Sequence, residues 1–233
     1  EDQGPGFSTE DRKKIFEKSA FVYTLNRMKV LVFIGFLCAA SPHLISLFPA
    51  DGWSLLYREE AVEVYMRKSK NSRYGEFRSV TEVDQEYRKT YDIFRDFSTY
   101  REWFGFCIES YQVAEHSSFH KTAFIGINAP WPVRDKYMVL EVYFDFNREQ
   151  RKGTIVFSLA RKDYGINPES YDPMIAVEGN CVLEEVTRER TKVTFTFIND
   201  PGGNVPKVFF KKFLQEQMAE TARGLGRFAA ERE

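Results

Sequence analysis

Two rigid turns, about 65 residues apart, constrain this chain more than any other feature. The first is Asn128-Ala129-Pro130-Trp131-Pro132-Val133-Arg134-Asp135; the second is Asp200-Pro201-Gly202-Gly203-Asn204-Val205-Pro206-Lys207. Pro130 and Pro132 fix their own φ and hold the residues before them extended. Pro201-Gly202-Gly203 makes a sharp reversal, and Pro206 stands where the first turn of a helix begins. Each turn must therefore end one regular element and start another.

The segments between the turns show which elements these are. Residues 63–67 and 77–83 alternate with period two and predict strands, separated by a polar turn over 68–75. The spacing then switches: Tyr87, Tyr91, Phe94 and Phe97 recur at three and four, which predicts a helix over 85–97 with Asp84 as its N-cap. Strands are predicted again over 108–114, 119–128, 137–146, 154–160, 174–183 and 192–198, with a loop over 162–172 marked by Gly165, Asn167 and Pro168. Ala123, Ile125 and Ile127 share one strand face. Met138, Leu140, Val142, Phe144 and Phe146 share another, with Glu141 and Asp145 opposite.

After Pro206 a long amphipathic helix is expected. Phe210, Phe213, Leu214, Gln217, Met218, Thr221, Leu225 and Phe228 fall on one broad face, and Lys212, Gln215, Glu216, Glu220, Arg223 and Arg227 on the other. Antiparallel strands with helices segregated at the ends indicate an α+β fold, not a parallel doubly wound sheet. A curved antiparallel sheet wrapped around such a terminal helix is the helix-grip arrangement. Gln217 and Thr221 are the polar exceptions on the inner face; each needs a partner in a dry core, or meets a polar group of a ligand in a cavity.

The two turns resemble those of the START family, the lipid-transfer domains related to the steroidogenic acute regulatory protein. Its patterns run roughly APWP-(V/L)-x-D-R-D before one long strand and DPGG-x-(I/L)-P before the last helix, and the resemblance covers roughly residues 51–230. It implies a helix-grip fold in which the space between sheet and helix holds one lipid or other hydrophobic small molecule, without catalysis and without a cofactor. The residues it points to as ligand-lining are Trp103, Phe104 and Trp131, then Ile125, Ile127, Met138, Leu140 and Val142 of the strands. From the helix it points to Phe210, Phe213, Leu214, Gln217, Met218 and Thr221. Transient membrane contact is also implied, and Gly202-Gly203 is a candidate hinge. The chain departs from the pattern at Asp135-Lys136-Tyr137, where D-R-D is usual. Because Lys cannot replace the bidentate contacts of Arg, a structural pair there is expected to weaken. Val142 stands where some members carry the Arg of a buried acid–Arg pair, so a simpler lipid or acyl chain is expected instead of a sterol.

Other chemistries find little support. The net charge is −1, which leaves no basic surplus for a phosphate backbone, and nucleic acid is not an expected partner. Cys38, Cys107 and Cys181 are too few for a disulfide framework, and no CxxC spacing or His/Cys/Asp cluster suggests a metal. Cys107 with His120 is a weak nucleophile–base candidate beside the plainer reading of a small buried hydrophobe. Two alternatives stay open. One is a helix-grip enzyme, cyclase- or hydratase-like, with Gln217, Thr221 and Tyr137 as its polar cavity groups. The other is an interaction domain with a filled core.

The first fifty residues read differently from the rest. Met28-Lys29 precedes a continuously apolar run from Val30 to Ala40, the pattern of a secretory signal; the rival readings of 28–50 are a membrane anchor, a lipoprotein signal ending at Cys38 and an apolar helix packed on the domain. A cleaved signal implies a periplasmic or secreted protein. If Met28 is the natural start, residues 1–27 are an extension foreign to it. Residues 51–233 are expected to form the lipid-binding domain.

Overall fold

Alternation of apolar and polar residues makes the strands of this protein, and a change of period makes its helices. A computed structural model describes residues 52–59 and 62–232. The expected extension at 1–27 and the signal or anchor at 28–50 lie outside the described residues. The elements in chain order are β1 (Ser54–Glu59), β2 (Val62–Arg67), β3 (Glu76–Val83), α1 (Tyr87–Arg95) and α2 (Tyr100–Trp103), then β4 (Cys107–Ser117), β5 (His120–Ile127), β6 (Lys136–Asn147) and β7 (Lys152–Leu159). The short β8 (Asp172–Pro173), β9 (Ala176–Thr187), β10 (Arg190–Asp200) and α3 (Lys207–Ala230) complete it.

The sheet runs β1-β2-β3-β10-β9-β7-β6-β5-β4, antiparallel throughout, with β8 pairing parallel to β6 off that path. The chain therefore closes the sheet in its middle, where β10 docks on β3 between Thr191↔Val83 and Phe197↔Phe77. One face of the curved sheet is apolar and carries α3. Met138, Leu140, Val142 and Phe144 of β6, Ile155 and Phe157 of β7, and Val177, Cys181 and Leu183 of β9 are all buried there. The fold is α+β and helix-grip, as the patterning predicts.

Two local readings need correction. Asp84 does not cap α1: the helix starts two residues later than predicted, its N-cap position is Glu86 without a side-chain cap bond, and Asp84 accepts from Arg190 Nε at 2.8 Å. The neighbour Gln85 is instead drawn inward. Its Nε2 donates to the Ala229 carbonyl at 3.2 Å, and Thr191 Oγ1 donates to its own carbonyl at 2.7 Å. The edge strand β1 was not anticipated, because a register shift between Leu55 and Tyr57 breaks its alternation. Lys136 makes a single contact where an Arg would offer two. Asp172 accepts from Arg134 Nη1 at 3.1 Å and from Lys136 Nζ at 3.3 Å, while Asp135 Oδ1 closes the turn by accepting from Ala129 N at 2.9 Å. Two cations share one carboxylate where a single Arg takes both oxygens in the bidentate case.

Candidate functional site

Two adjoining apolar chambers lie under the first half of α3. The inner one has a cavity volume of about 50 Å³ and is bounded by Phe94, Phe97, Tyr100, Trp103 and Phe104 on one side. Ile125, Met138, Leu140, Val142, Ile155, Phe157, Val177, Cys181, Phe195 and Phe197 of the sheet complete it. The outer one has a cavity volume of about 30 Å³ and lies among Ile127, Ala129, Pro130, Val133 and Met174, the second turn (Pro201, Val205) and Phe209, Phe210, Phe213 and Leu214 of α3. Met138, Asn199 and Gln217 border both, forming a waist. Both are far smaller than small-molecule pockets of about 300–1,000 Å³, so a chain-length ligand requires the space to widen.

The walls follow from the patterning. In β6 and β7 the period of two aims every second residue at the helix. In β10 the same period carries Phe195, Phe197 and Asn199 inward. In β9, Gly179 sits between the inward Val177 and Cys181; a Cβ there would come within 2.6 Å of Phe197 Cβ and 2.7 Å of Phe157 Cζ. Its missing side chain lets those rings approach the sheet. The rings pack on one another: Phe157 on Phe195 with centroids 5.3 Å apart, and Phe94 edge-on to Trp103 at 5.0 Å.

Of the residues anticipated from the sequence, Trp103, Phe104, Ile125, Ile127, Met138, Leu140, Val142, Phe210, Phe213, Leu214 and Gln217 all border these chambers. Three others do not. Trp131 is 89% exposed at the tip of its turn, so its ring faces solvent while the flanking Pro130 and Val133 turn inward. Met218 is buried in the core cluster, outside both linings. Thr221 is occupied: its hydroxyl donates to the Gln217 carbonyl at 2.8 Å and accepts from Gly105 N at 3.0 Å. Gln217 shares that anchor, its Nε2 donating to the Gly105 carbonyl at 3.2 Å. The two polar exceptions on the helix face therefore fasten α3 to one glycine. Its absent Cβ permits the approach, since a Cβ there would lie 3.0 Å from both Glu220 Cβ and Thr221 N. Residues missed from the sequence are chiefly those of α1, β7, β9 and β10. Period-two alternation would have found Phe157, Phe195, Phe197 and Asn199.

The chemistry available in the chambers is meagre. Their ionisable lining groups are Tyr100, Cys181 and Lys136. Tyr100 donates its hydroxyl to the Phe94 carbonyl at 2.7 Å, and burial raises it well above the usual phenol range. Burial likewise raises the Cys181 thiol. Lys136 is held by Asp172 at the rim. Tyr137, considered as a cavity group, points the other way: it donates to the Ile166 carbonyl at 3.2 Å and stacks on Phe124 at 5.7 Å. Cys107 and His120 sit at opposite ends of β5's pairing with β4, so they do not meet.

No protein-family model matches the chain. The uncharacterized protein PA1579 of Pseudomonas aeruginosa is 25% identical over 184 residues, 78% of this chain and 89% of that one. Among solved structures, a STAR-related lipid transfer protein fragment from Xanthomonas axonopodis superposes with a TM-score of 0.69 at 21% identity, covering 77% of this chain and all but 1% of that one (99%). Human StAR-related lipid transfer protein 5 superposes with 0.72 at 10% identity, covering 95% and 98%. An aromatase/cyclase, Zhui, from Streptomyces superposes more loosely, at 0.50 and 11% identity over 67% of this chain and 94% of that one. The chain thus has the START-like helix-grip fold.

Proposed function

We propose that this protein binds and carries one hydrophobic ligand, a lipid or acyl chain, between α3 and the concave face of the sheet, without transforming it. The observation that carries the reading is the pair of adjoining apolar chambers whose ionisable lining groups are each already committed or held neutral. General acid–base catalysis needs a group that exchanges protons near neutral pH. A buried phenol and a buried thiol, both raised, do not provide one. Apolar burial at roughly 25 cal/mol per Å² is enough to hold a chain without covalent chemistry. The likeness to proteins named for lipid transfer agrees with this reading.

Exchange needs an opening, and the outer chamber is the natural one. Its walls include the turn 201–206, where Gly202 and Gly203 hold φ of 73° and 63°. Large apolar side chains stand exposed beside it. Trp131 and Val208 are 89% and 83% exposed, next in sequence to the lining residues Pro130 and Phe209. Ile175 is 62% exposed, against Gly202. In this proposal they meet a membrane surface during loading and release.

The test is native mass spectrometry of the purified protein followed by organic extraction, with uptake of the apolar fluorophore diphenylhexatriene measured on the delipidated sample. A co-purifying lipid, or saturable one-to-one uptake of the fluorophore, is expected. A protein that carries no lipid and takes up no fluorophore overturns the carrier reading. Turnover of an added apolar substrate would move the assignment to the enzymes that share the fold.

A further inference from the structure

Asn199 is the last inward residue of β10. It is 8% exposed and borders both chambers at their waist. Its backbone is accounted for: it pairs with Val177 of β9, and its carbonyl accepts from Ser72 Oγ at 3.4 Å. Its side chain is not, since among the described residues nothing donates to the buried Oδ1. A buried amide oxygen without a donor is destabilising, and such groups are usually satisfied by protein, water or ligand. Here the amide borders the one space that the proposed ligand would occupy.

Resting on the carrier reading, we propose that Asn199 is the polar contact for an uncharged lipid bearing a hydroxyl or amide group, with its apolar part lying in the chambers on either side. The atom without a partner is an acceptor, so its complement is a group that gives a hydrogen bond. A hydroxyl or an amide does so. An ether or ester only accepts, and a hydrocarbon does neither. A carboxylate would bring a charge into apolar walls where the lining cation, Lys136, is already held by Asp172. Gln217, the other amide at the waist, has its Nε2 committed to Gly105 and cannot turn freely to serve instead.

The experiment displaces diphenylhexatriene from the delipidated protein with 1-dodecanol, dodecyl methyl ether and dodecane, in wild type and in the nearly isosteric Asn199→Leu. In wild type, dodecanol should compete about tenfold better than its ether, the scale of one satisfied buried hydrogen bond. In Asn199→Leu, dodecanol should weaken about tenfold while dodecane is unchanged or tighter. The ligand-free variant should melt no lower than wild type, which an amide bonded within the protein would not allow. Equal competition by alcohol and ether in wild type, or equal effects of the substitution on alcohol and hydrocarbon, overturns the Asn199 assignment and leaves the carrier reading standing. Failure of wild type to take up the fluorophore at all overturns both.

Discussion

Replacing Gly224 by Ala tests how α3 is held, because the same substitution two residues on should act with the opposite sign. Both glycines lie inside α3, where Gly→Ala alone is worth about 1 kcal/mol in favour of the helix. A Cβ on Gly224 would run into the Trp103 carbonyl oxygen, lie 2.9 Å from its carbonyl carbon and 3.0 Å from its Cα. Ordinary carbon contacts begin at about 3.5 Å, so α3 must move off α2 by roughly 0.5 Å or more, and a backbone carbonyl cannot rotate aside. Overpacking of this kind costs about 1–3 kcal/mol. The movement also stretches the bonds of Gln217 and Thr221 to Gly105, 3.2 and 3.0 Å long, one of which is worth about 1 kcal/mol. At the upper end the cost is about 4 kcal/mol against a gain of about 1, a net loss of about 3. For a chain of this size that lowers the melting temperature by about 6–12 °C. Gly226 has nothing within 4 Å of a built Cβ, so Gly226→Ala should raise the melting temperature by about 2–4 °C. Scanning calorimetry of both variants decides. If Gly224→Ala melts at or above wild type, or both variants shift alike, close packing at Trp103 is not what seats the helix.

Two further outcomes follow from the same contacts. Arg73 latches the turn beside the outer chamber, its Nη2 donating to the Gly203 carbonyl at 2.6 Å and its Nε lying 3.5 Å from Asp200 Oδ2. Arg73→Ala should therefore speed release of diphenylhexatriene several-fold in stopped flow, while costing no more than about 1 kcal/mol because the pair is exposed; unchanged release excludes the latch. A proline at 203, the obvious stiffening change, is unsuitable because its φ is locked near −65° where the turn needs 63°. Burial first, and the His116 ring stacked 4.3 Å away second, lower His120 below its ordinary value of 6.5. The unfolded chain then binds a proton near pH 6.5 that the fold refuses, so stability should fall as pH drops below about 6.5 and be flat with respect to this group above it. Urea midpoints across about pH 5–8 should show that slope in wild type and less of it in His120→Phe; identical profiles refute it.

What the sequence made legible, and what it hid, comes down to where α3 is tight and where it is free. Period two in β6 and period 3.6 in α3 put Met138, Leu140, Leu214 and Gln217 on facing surfaces, and the structure brings them together. Those periods say which way a side chain points but not how near the opposite surface comes. That distance is set by small residues. In the second half of α3, Ala219, Ala222, Gly224, Leu225 and Ala229 are buried, and the alanines and glycine let the helix backbone approach its support. The approach leaves no room for ligand at Met218 or Thr221, although both lie on the apolar face. In the first half, the bulky Phe209, Phe210 and Phe213 line the outer chamber. Trp131 escaped for a related reason: a turn between two prolines dictates where its backbone goes, not that its largest ring turns in. Asp84 was misread as a cap because the contacts that place Gln85 come from Thr191 and Ala229, more than a hundred residues away. Small residues and the Gly105 anchor fix one half of α3, while bulky rings and the glycine turn leave the other half spanning the chambers. The opposed responses of Gly224→Ala in melting and Arg73→Ala in release would separate these two halves.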